Sequence, residues 1–304
     1  MDPTSLPVPE PAPRSRHAVA LALVGAVVCI SFAAIFFRKA LPTNPVVAAG
    51  LRLVIAAALL APAGIRSIRA GRADRRVITA GALGGLAYGV HFGAWVSSLA
   101  LTSIAASVTI VTSTPLLLAV AALVTGRDRP EPRLWAAIAL GATGLLVISG
   151  NDLGLSSDAL LGDALAFVGA AAMAAYLLVA RRLGSALDIW AFSFMATLVG
   201  GVALLLGALL AGIPIEASSR AALGWIVLSA LVPQLIGHNL LTWALRHAKP
   251  TLVGMATVGE PVGSTILGWW LLSEAVSPQV ALGCAITLTG VLLAMRPASR
   301  PPPD

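Results

Sequence analysis

Residues 112–128 read TSTPLLLAVAALVTGRD, and residues 258–274 read VGEPVGSTILGWWLLSE. Each stretch has proline at its fourth place and an acid at its seventeenth, Pro115 and Asp128 in the first, Pro261 and Glu274 in the second. The register runs on without a gap: Pro132 corresponds to Pro278, and Thr143-Gly144 to Thr289-Gly290, all at an offset of 146 residues. Upstream the correspondence weakens, but Phe37-Arg38-Lys39 and Ala180-Arg181-Arg182 close equivalent apolar runs alike. The chain is therefore read as a duplication.

The duplicated unit is apolar. The sequence is 58% hydrophobic and 11% charged over 304 residues, against roughly 25% charged residues in a soluble domain. Crossing the hydrocarbon core as a helix takes about 20 apolar residues. Candidate spans fall at 18–37, 45–61, 77–98, 104–124, 134–150, 160–180, 188–211, 221–243, 252–272 and 279–295, each bounded by Pro, Gly, Asn or charge. The expected fold class is all-α and integral to the membrane, with ten transmembrane helices in two five-helix repeats. The expected divisions are a disordered tail over 1–17, a first repeat over 18–150, a second over 151–296 and a tail over 297–304. Five is odd, so the second repeat enters from the opposite face and the repeat is inverted. Inverted repeats suit alternating access, with a solute site near the midplane between the halves.

With the N-terminus inside, 16 of the 20 lysines and arginines fall on the cytoplasmic side. The exceptions are Arg38, Lys39, Arg52 and Arg220. The positive-inside rule then places both termini in the cytoplasm of a multi-pass protein of the bacterial inner membrane. The net charge of +7 does not imply a nucleic-acid partner, because the arginines sit in short clusters between apolar runs and form no stripe. Cys29 and Cys284 lie inside apolar runs and read as packing residues. No metal, cofactor, catalytic residue or nucleotide-binding loop is indicated, so an enzyme is not expected.

Ionisable groups within spans are costly, and four stand out: Arg52, His91, His238 and Glu260. In the third span Gly81, Gly85, Gly89 and Gly93 form a ridge for a neighbouring helix. Tyr88, His91 and Trp95 form a separate stripe, expected to line a pocket. The eighth span offers Gln234, His238, Asn239 and Thr242 as further candidates for binding a solute. Glu260 lies about 12 Å from the inner end of its span at 1.5 Å per residue, close to mid-bilayer. A carboxyl there either holds a proton or pairs with a cation, which makes it a candidate coupling group or counter-ion. Arg52, roughly 10 Å below the outer face, either reaches to the interface or binds a solute carboxylate. Pro115, Pro233 and Pro261 fall mid-span and are candidate hinges.

The pattern resembles the drug/metabolite transporter superfamily in its ten-helix form with two EamA domains. The Pro-rich start of the second span with Arg52, the central prolines of the fourth and ninth spans with Glu260-Pro261, and the acids Asp128 and Glu274 followed by a Thr-Gly apolar span carry the likeness across 18–296. Asp128 stands where glutamate is more usual. The resemblance implies transport of small metabolites, often amino acids. The expected function is a secondary transporter exporting amino acids, aromatic or large apolar ones included. Its partners are then a small-molecule solute, the lipid bilayer and protons. The alternative is a multidrug exporter of organic cations with Glu260 as counter-ion; an intramembrane enzyme or scaffold ranks below both.

Overall fold

The computed structural model describes residues 16–102, 104–126, 130–149, 156–273 and 276–296, and every regular element among them is helical. The helices are α1 (Arg16–Lys39), α2 (Pro45–Arg69), α3 (Arg75–Ser98), α4 (Ile104–Val111), α5 (Thr114–Thr125), α6 (Pro132–Ser149), α7 (Ser157–Arg182) and α8 (Ile189–Leu210). After them come α9 (Arg220–Ser229), a π-helical segment (Ala230–His238), α10 (Asn239–Ala244), α11 (Pro250–Thr257), α12 (Glu260–Leu272) and α13 (Pro278–Met295). Among the described residues, seven helices or continuous helical stretches are long and apolar enough to cross a membrane. Thr114–Thr125 and Pro132–Ile148 are shorter apolar helices. The acids Asp128 and Glu274, and the arginines Arg127 and Arg129, lie outside the described residues.

Helix starts follow from local chemistry. Asn44, Asp74, Ser156, Asp188, Ser219 and Ser277 each accept a hydrogen bond from a backbone N–H in the first turn that follows. Such caps satisfy donors that the helix itself cannot. Leucines and valines such as Leu21, Val124, Leu209 and Leu210 face outward. In water this would be a poor surface; against acyl chains it carries no penalty.

Small residues set the close contacts. The glycine ridge of α3 lies along α8: a Cβ on Gly85 would meet the Ala196 carbonyl oxygen at 2.9 Å, and one on Gly89 the Gly200 carbonyl oxygen at 3.0 Å. On α6 and α13, Gly144 packs against Gly283 and Thr287, while Gly290 packs against Ala137 and Gly141. Adding 146 to Ala137, Gly141 and Gly144 gives Gly283, Thr287 and Gly290, so each set of contacts turns into the other. Contacts that exchange in this way are what a two-fold axis between the repeats requires. Rising along α6 means descending along α13, so the two helices are antiparallel and the axis runs across them. Other helix pairs follow the same exchange: α3 lies on α7 as α1 lies on the π segment, and α7 lies on α4 and α5 as α1 lies on α12.

Candidate functional site

Residues 104–124 and 252–272 were expected as continuous spans. Each is broken. After α4 the Ser113 N–H bonds back to Ile110, and after α11 the Gly259 N–H bonds back to Ala256, both one residue short of the α-helical spacing. The new helices start at Thr114 and Glu260, which put Pro115 and Pro261 in their first turns. Proline has no N–H to donate and its fixed φ suits a first turn, so these prolines start half-helices and do not kink continuous ones. Pro115 cannot donate to the Val111 carbonyl; the Thr114 hydroxyl does so instead, at 3.0 Å. Pro233 lies inside the π-helical segment, whose wider turn accommodates a ring that an α-helix interior would not.

A cavity of about 40 Å³ lies beside the two breaks. Arg52 from α2, His91 and Trp95 from α3, Thr114 from α5, His238 from the π segment and Glu260 from α12 are among its lining residues. Helices distant in sequence thus bring together five of the residues singled out above. All four in-span ionisable groups are among them.

Arg52 is fully buried, so its side chain does not reach the membrane surface. Its guanidinium carbon stands 4.4 Å from the Phe92 ring centroid and 5.5 Å from that of Phe37. Trp95 is edge-on to Phe37 with centroids 6.1 Å apart, and is stacked with His91 at 6.2 Å. His91 Nδ1 donates to the Gly169 carbonyl at 2.9 Å. That bond fixes the ring and leaves Nε2 as its other functional nitrogen.

The remaining candidates stand one layer back. Tyr88 is fully buried and does not line the cavity; Gln234 Nε2 donates to its hydroxyl at 2.9 Å. The Thr242 hydroxyl bonds the Tyr176 hydroxyl at 2.9 Å and donates to the His238 carbonyl. Asn239 Nδ2 donates to the Leu235 carbonyl in the π-helical segment just before it. Tyr88 and Gln234 are 146 residues apart, and so are Phe92 and His238, whose rings meet at 5.4 Å. These two pairs of equivalent residues touch each other, so the axis passes between them. The repeat counterpart of His238 is Phe92, the residue after His91.

Sequence reasoning missed Thr114, Phe92, Phe37 and Tyr176. Thr114 had a signal, because the 146-residue offset pairs it with Glu260. Tyr176 had a weaker one: the chain has only two tyrosines, and they stack on each other with centroids 4.3 Å apart.

The EamA-like transporter family matches this sequence twice, over residues 17–150 and 160–296. The chain belongs to that family. It is a multi-pass membrane protein that transports small molecules, and the resemblance seen in its prolines and acids is membership. A solved crystal structure shares this EamA fold with a TM-score of 0.76 and 23% identity, covering 92% of this chain and 97% of the other. Among the described residues of this EamA-like chain, no group of three or more His, Cys, Asp or Glu side chains is placed to hold a metal ion.

Proposed function

We propose that this chain is a secondary transporter that exports amino acids, aromatic or large apolar ones included, by alternating access across the bacterial inner membrane. The observation that carries the reading is the cavity at the meeting of the two repeats, with one buried cation, one carboxyl, two imidazoles and aromatic walls. An ammonium group suits the carboxyl of Glu260, and an apolar side chain suits the rings of Trp95 and Phe92. The topology proposed is ten crossings with both termini inside. The fourth crossing is α4 with α5 and the ninth is α11 with α12, each in two half-helices.

A volume of about 40 Å³ holds only a few waters, each of which needs at least about 10–15 Å³ of such space. An amino acid enters only when helices part. The breaks at 112–113 and 258–259, where the regular α-helical hydrogen-bond spacing is interrupted, and the π segment around Pro233 are the places we assign as hinges. Non-helical backbone at membrane depth is tolerated where it borders a cavity.

The deciding experiment is flux of labelled amino acids into liposomes holding the purified protein, against empty liposomes. Protein-dependent uptake without chemical change to the solute is the expected result, and its absence across the amino acids sinks the reading. Glu260 also suits an organic cation as counter-ion. Competition of that flux by quaternary ammonium compounds, with none by zwitterions, would move the assignment there. A reporter fused after Arg300 tests the topology; a periplasmic signal would break both the count of ten and the inversion.

A further inference from the structure

We infer that Arg52 is a receptor for a carboxylate, so that the solute carries one and binds in a single orientation. The inference rests on reading the cavity as the solute site and adds to that reading the group the solute must have. Arg52 is wholly buried, and among the described residues none of its Nε, Nη1 and Nη2 atoms has a hydrogen-bond partner. A guanidinium carries five N–H donors in one plane and is always charged. Buried polar atoms are almost always paired, and an exception calls for a physical reason. Here the reason is visible in the packing. Phe92 and Phe37 lie near the guanidinium and offer it ring faces. Ring faces attract a cation but accept none of its in-plane N–H groups in the way an oxygen does. What is missing is an acceptor in the plane of the fork, and the residue borders the cavity.

The fork matches a carboxylate in bidentate fashion, which a lysine would not do. Glu260 does not fill the role, since no ion pair within 4 Å joins the two side chains among the described residues. Neither charge is duplicated by the repeat. Counted from the helix caps Asn44 and Asp188, the residue equivalent to Arg52 is Ala196, and the one equivalent to Glu260 is Thr114. The cavity therefore has one cationic and one acidic group on different helices, an arrangement that distinguishes the two ends of a zwitterion. The imidazoles of His91 and His238 and the phenol of Tyr176 are the other titratable groups on its lining.

The test is the thermal stability of the full-length purified protein with a graded set of probes: phenylalanine, leucine, phenylpropionate, phenylalaninamide, phenethylamine and sodium chloride. The wild type should be stabilised by the three carboxylates, and the amide and the amine should bind about ten- to a hundredfold more weakly. Arg52→Gln should bring phenylalanine and its amide to within about threefold of each other. Arg52→Lys keeps the charge without the fork and should fall between. Equal stabilisation of the wild type by acid and amide overturns the inference. So does a preference for acid that survives in Arg52→Gln, or an equal shift from chloride alone. If Arg52→Gln fails to fold, the wild-type comparison of acid with amide decides. Flux in liposomes is a separate reading: carboxylates that stabilise the protein but do not cross would leave the receptor standing and defeat the assignment of amino acids as cargo.

Discussion

The two broken helices are alike in backbone and unlike in chemistry. Both break three residues before the same relative point, both restart with proline in the first turn, and both place their first helical residue against the cavity. In one that residue is Thr114 and in the other Glu260. The difference teaches how a duplicated fold obtains a directional site. Symmetry of the frame supplies two half-helices meeting near the centre, and substitution at one copy supplies a carboxyl on one side only. Arg52 facing the cavity without a counterpart, and His238 opposite Phe92, extend the same asymmetry.

The severest way to break this comparison is to move the acid. Thr114→Glu combined with Glu260→Thr keeps the composition and swaps the halves. We expect liposome flux to fall to background, because the acid then sits in the wrong relation to Arg52. Glu260→Gln alone should insert and fold but remove any pH dependence of flux. Full transport by the swapped protein would mean that the carboxyl acts without regard to side, and an unchanged rate and pH profile in Glu260→Gln would make it structural.

Where packing is symmetric, the two halves should respond alike. A Cβ on Gly144 would come within 2.8 Å of the Gly283 carbonyl oxygen, and one on Gly290 within 2.8 Å of that of Ala137. Gly144→Ala and Gly290→Ala should each cost about 1–3 kcal/mol through overpacking, measured as a loss of thermal stability in detergent. A large cost at one site alone would show that α6 and α13 are not related as described.

The pair on the axis offers a finer test. Tyr88→Phe removes the hydroxyl that Gln234 Nε2 bonds, leaving a buried donor unsatisfied at a cost of about 1–2 kcal/mol. Adding Gln234→Leu should recover most of that loss. Additive costs would show that the two side chains are not coupled across the centre.

The smallest effect concerns the aromatic wall. Trp95 is 4% exposed and borders the cavity, whereas Trp190 is 50% exposed at the start of α8. Trp95→Ala should weaken competition by aromatic amino acids about three- to tenfold more than by small ones, since a ring contact contributes roughly 0.5–1.5 kcal/mol beyond area. Trp190→Ala should leave the ranking as it is. An unchanged ranking in Trp95→Ala would place the solute elsewhere.

The sequence by itself determined the solvent, the duplication and the chemistry available. Apolar runs long enough for a bilayer, arginine clusters between them and a 146-residue register are local or linear properties, legible without coordinates. The ridge of Gly81, Gly85, Gly89 and Gly93 was legible for the same reason, since helical spacing alone puts those residues on one face. The place of Glu260 just before Pro261 was likewise readable from the order of residues. The tertiary structure decided which of these groups share a space. Nothing in the order of residues says that Arg52 turns inward beneath Phe37 and Phe92, because a long side chain near a span's end reaches the surface as readily as the core. Nor does spacing reveal that Tyr88 spends its hydroxyl on Gln234 while its neighbour Trp95 reaches the cavity, for both lie on the same stripe. The breaks before Pro115 and Pro261 also required coordinates. A proline in a span is compatible with a kink or with a new helix, and the outcome depends on what accepts and donates the freed hydrogen bonds. Contacts between helices far apart in sequence settle that, and they arise only once the two repeats have packed around their common axis.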